Sequence, residues 1–237
     1  MELVRALFAD ILKKLMIKNM KNIILVLALI SLTLTNCKKE NIIGDGPVQT
    51  EQRVETDFQR IFASGASKIF ITKGDQVSVT VKAYGTLLPY LETTVTNRVL
   101  KIAFKDNTRV RNDNSQIFIT MPSLEGLTTE GSGLIAITGD FSGNDNFDLK
   151  ISGSSDVSLE RGSSKVFSAT IEGSGDIKAF GFEAEEANVK IFGSGNTEIA
   201  VFRKLHAKIY GSGNVYYRGN PAVVDSDISG SGKVINQ

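Results

Sequence analysis

The sequence predicts an all-β protein folded as a right-handed parallel β-helix, or β-solenoid, with about 20 residues per coil. Two observations support this prediction: a glycine phrase that returns at a nearly constant interval, and alternating apolar and polar residues before five of its six copies. A constant period of about 20 residues is typical of stacked coils. The right hand is predicted because crossovers between parallel strands almost always turn that way.

The glycine phrase is Gly-Ser-Gly or a close variant, and it occurs six times at intervals of 18 to 22 residues. Such a phrase predicts a sharp corner, because glycine adopts backbone dihedrals closed to most other residues and leaves room for the coil above. The copies begin at Gly131, Gly153, Gly173, Gly193, Gly211 and Gly230.

Apolar and polar residues alternate before the last five phrases, as they do from Phe147 to Ile151. This period of two predicts a strand with one buried face. Another apolar position recurs four residues after the first glycine, which predicts a second strand beyond the corner. Stacking would bury these positions in columns, with equivalent strands about 4.8 Å apart. The column two residues before the glycine contains Ile151, Ile171, Ile191, Ile209 and Ile228.

Residues 54–123, ahead of the glycine series, also have a β pattern. Residues 64–67 are similar to a degenerate corner, which predicts that the coils begin there. Turns are expected at residues 74–75 and 97–98 because glycine and asparagine favour them. An antiparallel β-sandwich whose hairpins carry the glycine turns is the alternative fold. Strands are predicted at residues 68–72, 76–83, 93–96, 99–104 and 116–121, a short helical turn at 87–91 and an exposed loop at 106–115.

The N-terminal region predicts an export signal. Met20 begins a basic start followed by about twelve largely apolar residues, which is the layout of a secretory signal. This run is too short for a transmembrane helix, which needs about 20 apolar residues. Met20 is therefore predicted to be the true initiator, so that residues 1–36 are an N-terminal extension plus a signal peptide.

Cys37 is the only cysteine of the chain and follows the apolar run. This position resembles the lipobox of bacterial lipoproteins, where a diacylglyceryl group is attached to the cysteine. We expect Cys37 to be the lipid anchor that joins the protein to a membrane; an ordinary signal peptide containing a cysteine is the alternative. Residues 37–53 predict a flexible tether, and residues 54–237 a β-helical domain. The expected location is the cell envelope, as an outer-membrane lipoprotein facing the periplasm or the cell surface.

Charge and motifs exclude several classes of function. Beyond residue 36 the chain has 22 basic and 24 acidic residues, which indicates no nucleic-acid partner. His206, the only histidine, falls on an outward strand position, and the sequence nominates no nucleophile beside it. No Cys or His cluster predicts a metal site, and the glycine phrase lacks the helix and Lys-Ser/Thr of a phosphate loop. We therefore predict no catalytic residues, no cofactor and no metal.

Two columns remain as candidate sites. The residues after each corner could hold calcium through paired carboxylates, although simple turn chemistry accounts for them as well. Phe192 and Tyr210 are outward aromatic residues on adjacent coils, and they predict either a binding platform for sugar or protein or a stabilising ladder. The corner column contains Asp156, Asp176, Asn196 and Asn214.

Four short segments precede the glycine series, at residues 58–65 (FQRIFASG), 69–74 (IFITKG), 87–90 (LLPY) and 121–124 (MPSL). Together with that series they resemble the putative auto-transporter adhesin, head GIN domain family of bacterial secreted lipoproteins, over about residues 54–237. The resemblance implies a β-helical domain on an envelope lipoprotein, and the family name implies adhesion. It supplies no catalytic residues to carry over.

Three classes of function follow as expectations. The leading one is a non-enzymatic, lipid-anchored envelope protein that displays a β-helix surface for adhesion to, or binding of, a glycan or a protein. The second is a structural component that oligomerises through an exposed solenoid end, since the sequence leaves the oligomeric state open. The third is a polysaccharide-active β-helix enzyme, for which no deep cleft is evident.

Overall fold

The computed structural model describes residues 39–237, of which Glu40–Gln237 form one compact unit. The predicted extension, signal peptide, initiator Met20 and lipid anchor Cys37 lie outside the described residues. Among residues 39–237 there is no helix with the length and apolar character needed to cross a membrane.

Strands joined by turns make up this part of the chain. They are β1 (Glu40–Ile43), β2 (Val48–Arg53), β3 (Arg60–Gly65), β4 (Lys68–Lys73), β5 (Ser78–Tyr84), β6 (Leu91–Thr96), β7 (Val99–Phe104), β8 (Thr108–Arg111), β9 (Gln116–Met121), β10 (Gly126–Gly131), β11 (Leu134–Gly153), β12 (Asp156–Gly173), β13 (Ile177–Gly193), β14 (Thr197–Gly211), β15 (Val215–Arg218), β16 (Val223–Gly230) and β17 (Val234–Asn236).

The predicted parallel β-solenoid is confirmed. Strands β10 to β14 stack in parallel in chain order, followed by β15 and β16 on β14 and by β17 on β15. The pairing keeps every corner in one column, because the first glycine of each phrase is the register partner of the first glycine of the next. The long strands β11 to β14 continue around the coil, with register shifts between β11 and β12 and between β13 and β14.

The corner glycine is required on two counts, as Gly173 shows. Its φ is +140°, in a region that residues with a side chain rarely adopt. A Cβ atom at this position would collide with the carbonyl oxygen of Gly153, its equivalent one coil earlier. The phrase is therefore set by close stacking of the backbone.

The predicted inward columns form the core. In the coils that end at Gly153, Gly173, Gly193 and Gly211, the residues six, four and two positions before the glycine are 2% exposed or less. Phe147, Phe167 and Phe182 pack together in the interior, with ring centroids 4.8 to 6.0 Å apart. Coil-by-coil burial of this kind stabilises the stack as a whole.

The last coil departs from the predicted burial. Val224 and Ile228 occupy the same columns as Leu205 and Ile209, yet they are 45% and 39% exposed. Leu205 and Ile209 lie between two coils, whereas β16 has a described neighbour, β14, on one side only. The alternating pattern therefore predicts which way a side chain points, while burial also depends on the next coil.

The coils do not stack in simple chain order at the other end. β3 pairs with both β10 and β7, and β4 pairs with both β11 and β9. The coil that contains β3 and β4 thus lies between the one formed by β7 and β9 and the one formed by β10 and the start of β11. Gly65 pairs with Gly131 in this arrangement, which confirms residues 64–67 as a corner.

Antiparallel strands cover this end of the stack. β6 pairs antiparallel with β7, β5 with β9, and β2 with β5. The predicted turn at residues 97–98 joins β6 to β7, and both Asn97 and Arg98 have positive φ, as a tight hairpin turn requires. At residues 87–91 the chain makes a turn closed by a hydrogen bond from the Leu91 N–H to the Leu87 carbonyl.

Two predicted boundaries are corrected. The sequence predicts a tether as far as residue 53, but β1 and β2 are strands, paired with β8 and β5, so the folded unit begins at Glu40. None of the β2 residues is fully buried, and for that reason no apolar alternation marks the strand. The loop predicted at residues 106–115 contains β8 and ends at Ser115, which is only 2% exposed.

Candidate functional site

The corner column forms a ladder of hydrogen bonds, which we call the Asx ladder. A side-chain oxygen at each step accepts the backbone N–H of the equivalent residue on the next coil. Asp156 accepts from Asp176 at 3.1 Å, Asp176 from Asn196 at 2.7 Å, and Asn196 from Asn214 at 3.0 Å. The side-chain amides of Asn196 and Asn214 donate to the same oxygens, at 3.0 and 3.1 Å.

This geometry accounts for the column through turn chemistry. Each ladder oxygen satisfies a corner N–H that would otherwise need another partner. Within residues 39–237 no group of three or more His, Cys, Asp or Glu side chains is arranged to hold a metal ion. Through its hydrogen bonds the Asx ladder holds successive corners in register.

The outward face of the strands before the corner presents the second predicted column. Phe192 and Tyr210 are register partners on β13 and β14, and their rings stack with centroids 5.3 Å apart and planes 7° from parallel. They remain 45% and 42% exposed. The Tyr210 hydroxyl also lies 3.4 Å from a carboxylate oxygen of Asp227 on the last coil.

Two lysines lie beside these rings. Lys190 and Lys208 are register partners two residues before Phe192 and Tyr210, so the four side chains occupy adjacent outward positions on two neighbouring strands. We call this group the aromatic–lysine patch (Lys190, Phe192, Lys208, Tyr210). Ammonium groups on directly opposed positions repel each other.

Two other cations on this face form ion pairs with carboxylates, whereas Lys101 on β7, among the described residues, forms none. A guanidinium nitrogen of Arg60 lies 2.9 Å from a carboxylate oxygen of Asp148, and the ammonium nitrogen of Lys150 lies 3.1 Å from a carboxylate oxygen of Glu172. Hydrogen bonds from Lys150 and Ser152 lower the pKa of the Glu172 carboxyl. Among the described residues, neither lysine of the aromatic–lysine patch has a carboxylate within the 4.0 Å limit of an ion pair.

His206 occupies the outward position that the sequence predicts for it. Its Nδ1 atom lies 2.9 Å from a carboxylate oxygen of Asp225, and its register partners are Asn188 and Asp225. An imidazole between an amide and a carboxylate can orient that carboxylate by hydrogen bonding. No serine or threonine faces it in the register, so the arrangement supplies a polar contact point rather than a nucleophile and its base.

A third outward column carries alternating charges along β11 to β14. The Lys165 ammonium lies 2.7 Å from a carboxylate oxygen of Asp145. The Arg203 guanidinium lies 3.8 Å from a carboxylate oxygen of Glu185 and 2.9 Å from one of Glu186. The hydrogen bond between Lys165 and Asp145 lowers the pKa of the Asp145 carboxyl and raises that of the Lys165 ammonium. Because these charges are exposed and satisfied by one another, they contribute little to stability and offer no unpaired charge to a ligand.

One hollow on the described surface is open and polar. It has a volume of about 640 Å³ and is lined by Arg60, Glu125, Asn144, Asp145 and Asp148, among others. The ion pair between Arg60 and Asp148 spans part of it. Ligand pockets are usually lined mainly by apolar side chains, so this hollow is a weaker candidate site than the exposed patch.

Sequence reasoning identified the two rings of the aromatic–lysine patch but passed over the lysines. Lys190 and Lys208 appear in the sequence as two more polar residues between apolar ones. Aligning the outward positions on the corner glycine would have placed them side by side. Their lack of a carboxylate partner could not be read in this way, because it depends on side-chain conformation.

A family model described as "Putative auto-transporter adhesin, head GIN domain" matches residues 57–221. No curated protein matches the chain.

Solved structures share its fold. A putative adhesin from Bacteroides fragilis is 20% identical with a TM-score of 0.68, and the match covers 83% of this chain and 100% of that one. A putative lipid binding protein from Parabacteroides distasonis is 25% identical with a TM-score of 0.58, covering 84% and 100%. A putative adhesin from Parabacteroides merdae is 21% identical with a TM-score of 0.52, covering 84% and 99%.

Proposed function

This chain belongs to the family described as "Putative auto-transporter adhesin, head GIN domain", and on that premise we propose that it is a non-enzymatic, lipid-anchored protein of the cell envelope that displays its solenoid for adhesion. The proposal separates two parts of the molecule. The corner and the core build a rigid support, and the outward columns provide the surface that meets a ligand.

One observation carries this proposal: the outward side chains stand in straight columns on a scaffold with a repeating, hydrogen-bonded corner. Backbone pairing and the Asx ladder hold each coil in register with the next. An outward side chain can therefore vary without disturbing the corner or the core. A surface of this kind is suited to binding an extended partner on another cell or in a matrix, since little order has to be created on binding.

Anchoring is assigned to Cys37, which lies outside the described residues. A diacylglyceryl group on its sulfur would hold the folded unit at a membrane, and two acyl chains are sufficient for stable attachment. Substitution of Cys37 by Ser is expected to release the protein from the membrane fraction and to abolish labelling by a radioactive fatty acid. Equal labelling of Cys37→Ser and the unaltered chain would contradict the anchor.

Adhesion is tested with bacteria that express the full chain, the Cys37→Ser variant, or no such chain. We expect cells with the full chain to be retained several-fold better on surfaces coated with mucin or polysaccharide. The Cys37→Ser variant serves as the control, because it keeps the folded unit and loses the attachment. Equal retention of all three strains, with protein exposed on the cells as judged by protease shaving, would contradict adhesion.

The uncovered last coil favours a second candidate function, an envelope component that assembles through the end of its solenoid. Val224 and Ile228 expose apolar surface there, and the outer edge of β16 has no partner among the described strands. An open edge of this kind is a template for pairing with another chain. Sedimentation of the purified protein distinguishes the two: a stable dimer lost on Val224→Lys supports assembly, and a monomer at all concentrations argues against it.

A further inference from the structure

We propose that the aromatic–lysine patch (Lys190, Phe192, Lys208, Tyr210) is a binding site for an acidic polysaccharide. This inference rests on the proposed adhesive function and adds to it the residues of the site and the chemical class of the ligand.

The four residues occupy a rectangle of outward positions on one sheet face. Lys190 pairs with Lys208, and Phe192 with Tyr210, across two parallel strands. Neighbouring strands are about 4.8 Å apart, and residues two apart on one strand are separated by about 6.6 Å. Two cationic groups and two aromatic rings therefore lie within a span comparable to one or two sugar rings.

The two lysines, Lys190 and Lys208, favour an anionic ligand. Lys190 and Lys208 occupy directly opposed positions on neighbouring strands, and like charges at such positions are destabilising. On the same face Lys150 and Arg60 are each neutralised by a carboxylate at hydrogen-bonding distance. Asp227 is the register partner of Lys208 on the last coil, but among the described residues its carboxylate is bonded to the Tyr210 hydroxyl and forms no ion pair with Lys208. A carboxylate or sulfate group placed between Lys190 and Lys208 would therefore relieve their repulsion.

The two exposed rings favour a ligand that also has an apolar face next to its anionic group. Phe192 and Tyr210 keep nearly half of their surface in water, although they stack on each other. Sugar rings have C–H groups on their faces and hydroxyls around their edges. They can cover an aromatic side chain while hydrogen-bonding to neighbours such as Asn188 and Asp227.

The size of the apolar area distinguishes a saccharide from a protein partner. Two aromatic side chains that are nearly half exposed present about 200 Å² together, whereas a stable protein interface buries about 800 Å² on each partner. The surroundings of the rings are polar or charged: Glu172 and Ser229 are their register neighbours on either side. A small aromatic area inside a polar sheet face fits a sugar chain better than a protein surface.

A second stacked pair on this molecule provides a matched control. Phe70 and Phe118 are register partners with ring centroids 5.1 Å apart and planes 15° from parallel, and Phe118 is 38% exposed. The positions two residues before them carry Lys68 and Gln116, so this pair has one lysine where the patch has two. Substitution of Phe70 and Phe118 therefore measures how much exposed stacked rings contribute to ligand binding when no pair of opposed lysines lies beside them.

The experiment measures binding of the purified full chain to immobilised alginate, polygalacturonate and chondroitin sulfate, with dextran as the neutral polymer. We expect binding to at least one acidic polymer and none to dextran. Lys190→Gln with Lys208→Gln, and Phe192→Ala with Tyr210→Ala, should each weaken it by about tenfold or more. Phe70→Ala with Phe118→Ala should change it less than about twofold. Thermal unfolding of each variant verifies that the fold is intact.

Several outcomes would overturn the proposal. Binding that falls in the lysine variant and not in the aromatic variant indicates a general charge effect, and equal losses in both aromatic variants indicate non-specific stacking. Equal binding to anionic lipid vesicles, or no binding to any acidic polymer, also contradicts it. If cells with the patch variants adhere as well as cells with the unaltered chain, the patch is wrong while adhesion stands; if the unaltered chain gives no adhesion, the proposed function itself fails.

Discussion

One carboxylate oxygen of Asp176 accepts both the backbone N–H of Asn196, at 2.7 Å, and its side-chain amide, at 3.0 Å. The two residues are equivalent positions on successive coils, so this double contact joins one corner to the next. It repeats with small changes along the Asx ladder. The stability of the stack can therefore be examined at single positions whose geometry recurs.

The ladder predicts different effects for two substitutions of Asp176. Asp176→Ala removes the acceptor for both donors of Asn196, and we expect the free energy of unfolding to fall by about 1–2 kcal/mol. Asp176→Asn keeps an acceptor oxygen, removes a negative charge stacked on Asp156, and adds an amide able to donate to Asp156. Its free energy of unfolding should lie within about 0.5 kcal/mol of that of the unaltered protein, or be higher. Urea denaturation measures both, and equal losses would contradict the ladder.

Two corner glycines separate the cost of backbone strain from that of close stacking. Gly65 has φ +116°, but a Cβ atom there would meet nothing within 4 Å; at Gly173 it would collide with a carbonyl oxygen. Gly65→Ala is expected to cost about 1–3 kcal/mol through strain alone. Gly173→Ala adds the collision and should cost clearly more or prevent folding. Chemical denaturation followed by circular dichroism compares them, and similar costs would show that packing of the coils does not select glycine.

Thr197 is a polar residue in an apolar column and predicts a stabilising substitution. It is fully buried between its register partners Ile177 and Val215, and its hydroxyl has no hydrogen-bond partner among the described residues. Thr197→Val keeps the shape and removes the unsatisfied group, so it should add about 1 kcal/mol and raise Tm by about 2–4 °C. Thr197→Ser keeps the hydroxyl, deletes a methyl and should lower Tm. A lower Tm for Thr197→Val would mean that a buried partner or water satisfies the hydroxyl.

Truncation to alanine is expected to lower the free energy of unfolding less in the last coil than in the coil before it, at equivalent positions of one inward column. Ile209→Ala leaves a cavity in the closed core and is expected to cost about 2–5 kcal/mol. Ile228→Ala removes a side chain that is already 39% exposed, and we expect it to cost less than about half as much. Thermal unfolding at low protein concentration measures both. A cost for Ile228→Ala equal to that of Ile209→Ala would indicate that another chain covers the end.

Glu172 predicts a measurable shift in titration. Its pKa is lowered by hydrogen bonds from Lys150 and Ser152, so the carboxyl should titrate below its ordinary value of 4.5 in a carbon-detected NMR experiment. Lys150→Met and Ser152→Ala should each move the value upward. Because the pKa of Glu172 is lower in the folded state than in the unfolded state, ionisation of this carboxyl stabilises the fold. This contribution is fully present above the unfolded-state pKa and is lost as the pH falls through the folded-state pKa. A Glu172 pKa at or above 4.5 would contradict these bonds.

Much of the fold could be predicted because its main constraints are local and periodic. The corner position, the inward columns of four coils and the short strand after the last corner all follow from spacing and polarity. The position of Gly65 in the corner column was also readable, although only as a degenerate copy. The strands β1 and β2 were missed because backbone pairing forms them without a buried face to mark them.

The candidate site was readable only in part, for the same reason. Alternation places Phe192 and Tyr210 outward on adjacent coils, and the period makes them neighbours. Whether their rings stack, and whether Lys190 and Lys208 find carboxylates, depends on side-chain conformations that polarity patterns do not describe. The acidic residues nearby, such as Glu172, are engaged by other donors.

The repeating phrase and its alternating flanks were sufficient to establish a parallel solenoid, because glycine corners at a constant period, between strands of alternating polarity, are compatible with few folds. Tertiary packing decided three further features. The coil at Gly65 is inserted between two coils that follow it in the chain, antiparallel strands cover one end, and the inward residues of β16 stay exposed at the other. All three depend on which strand edges meet across long stretches of chain, and that choice is made by the free energy of the whole stack rather than by any local pattern.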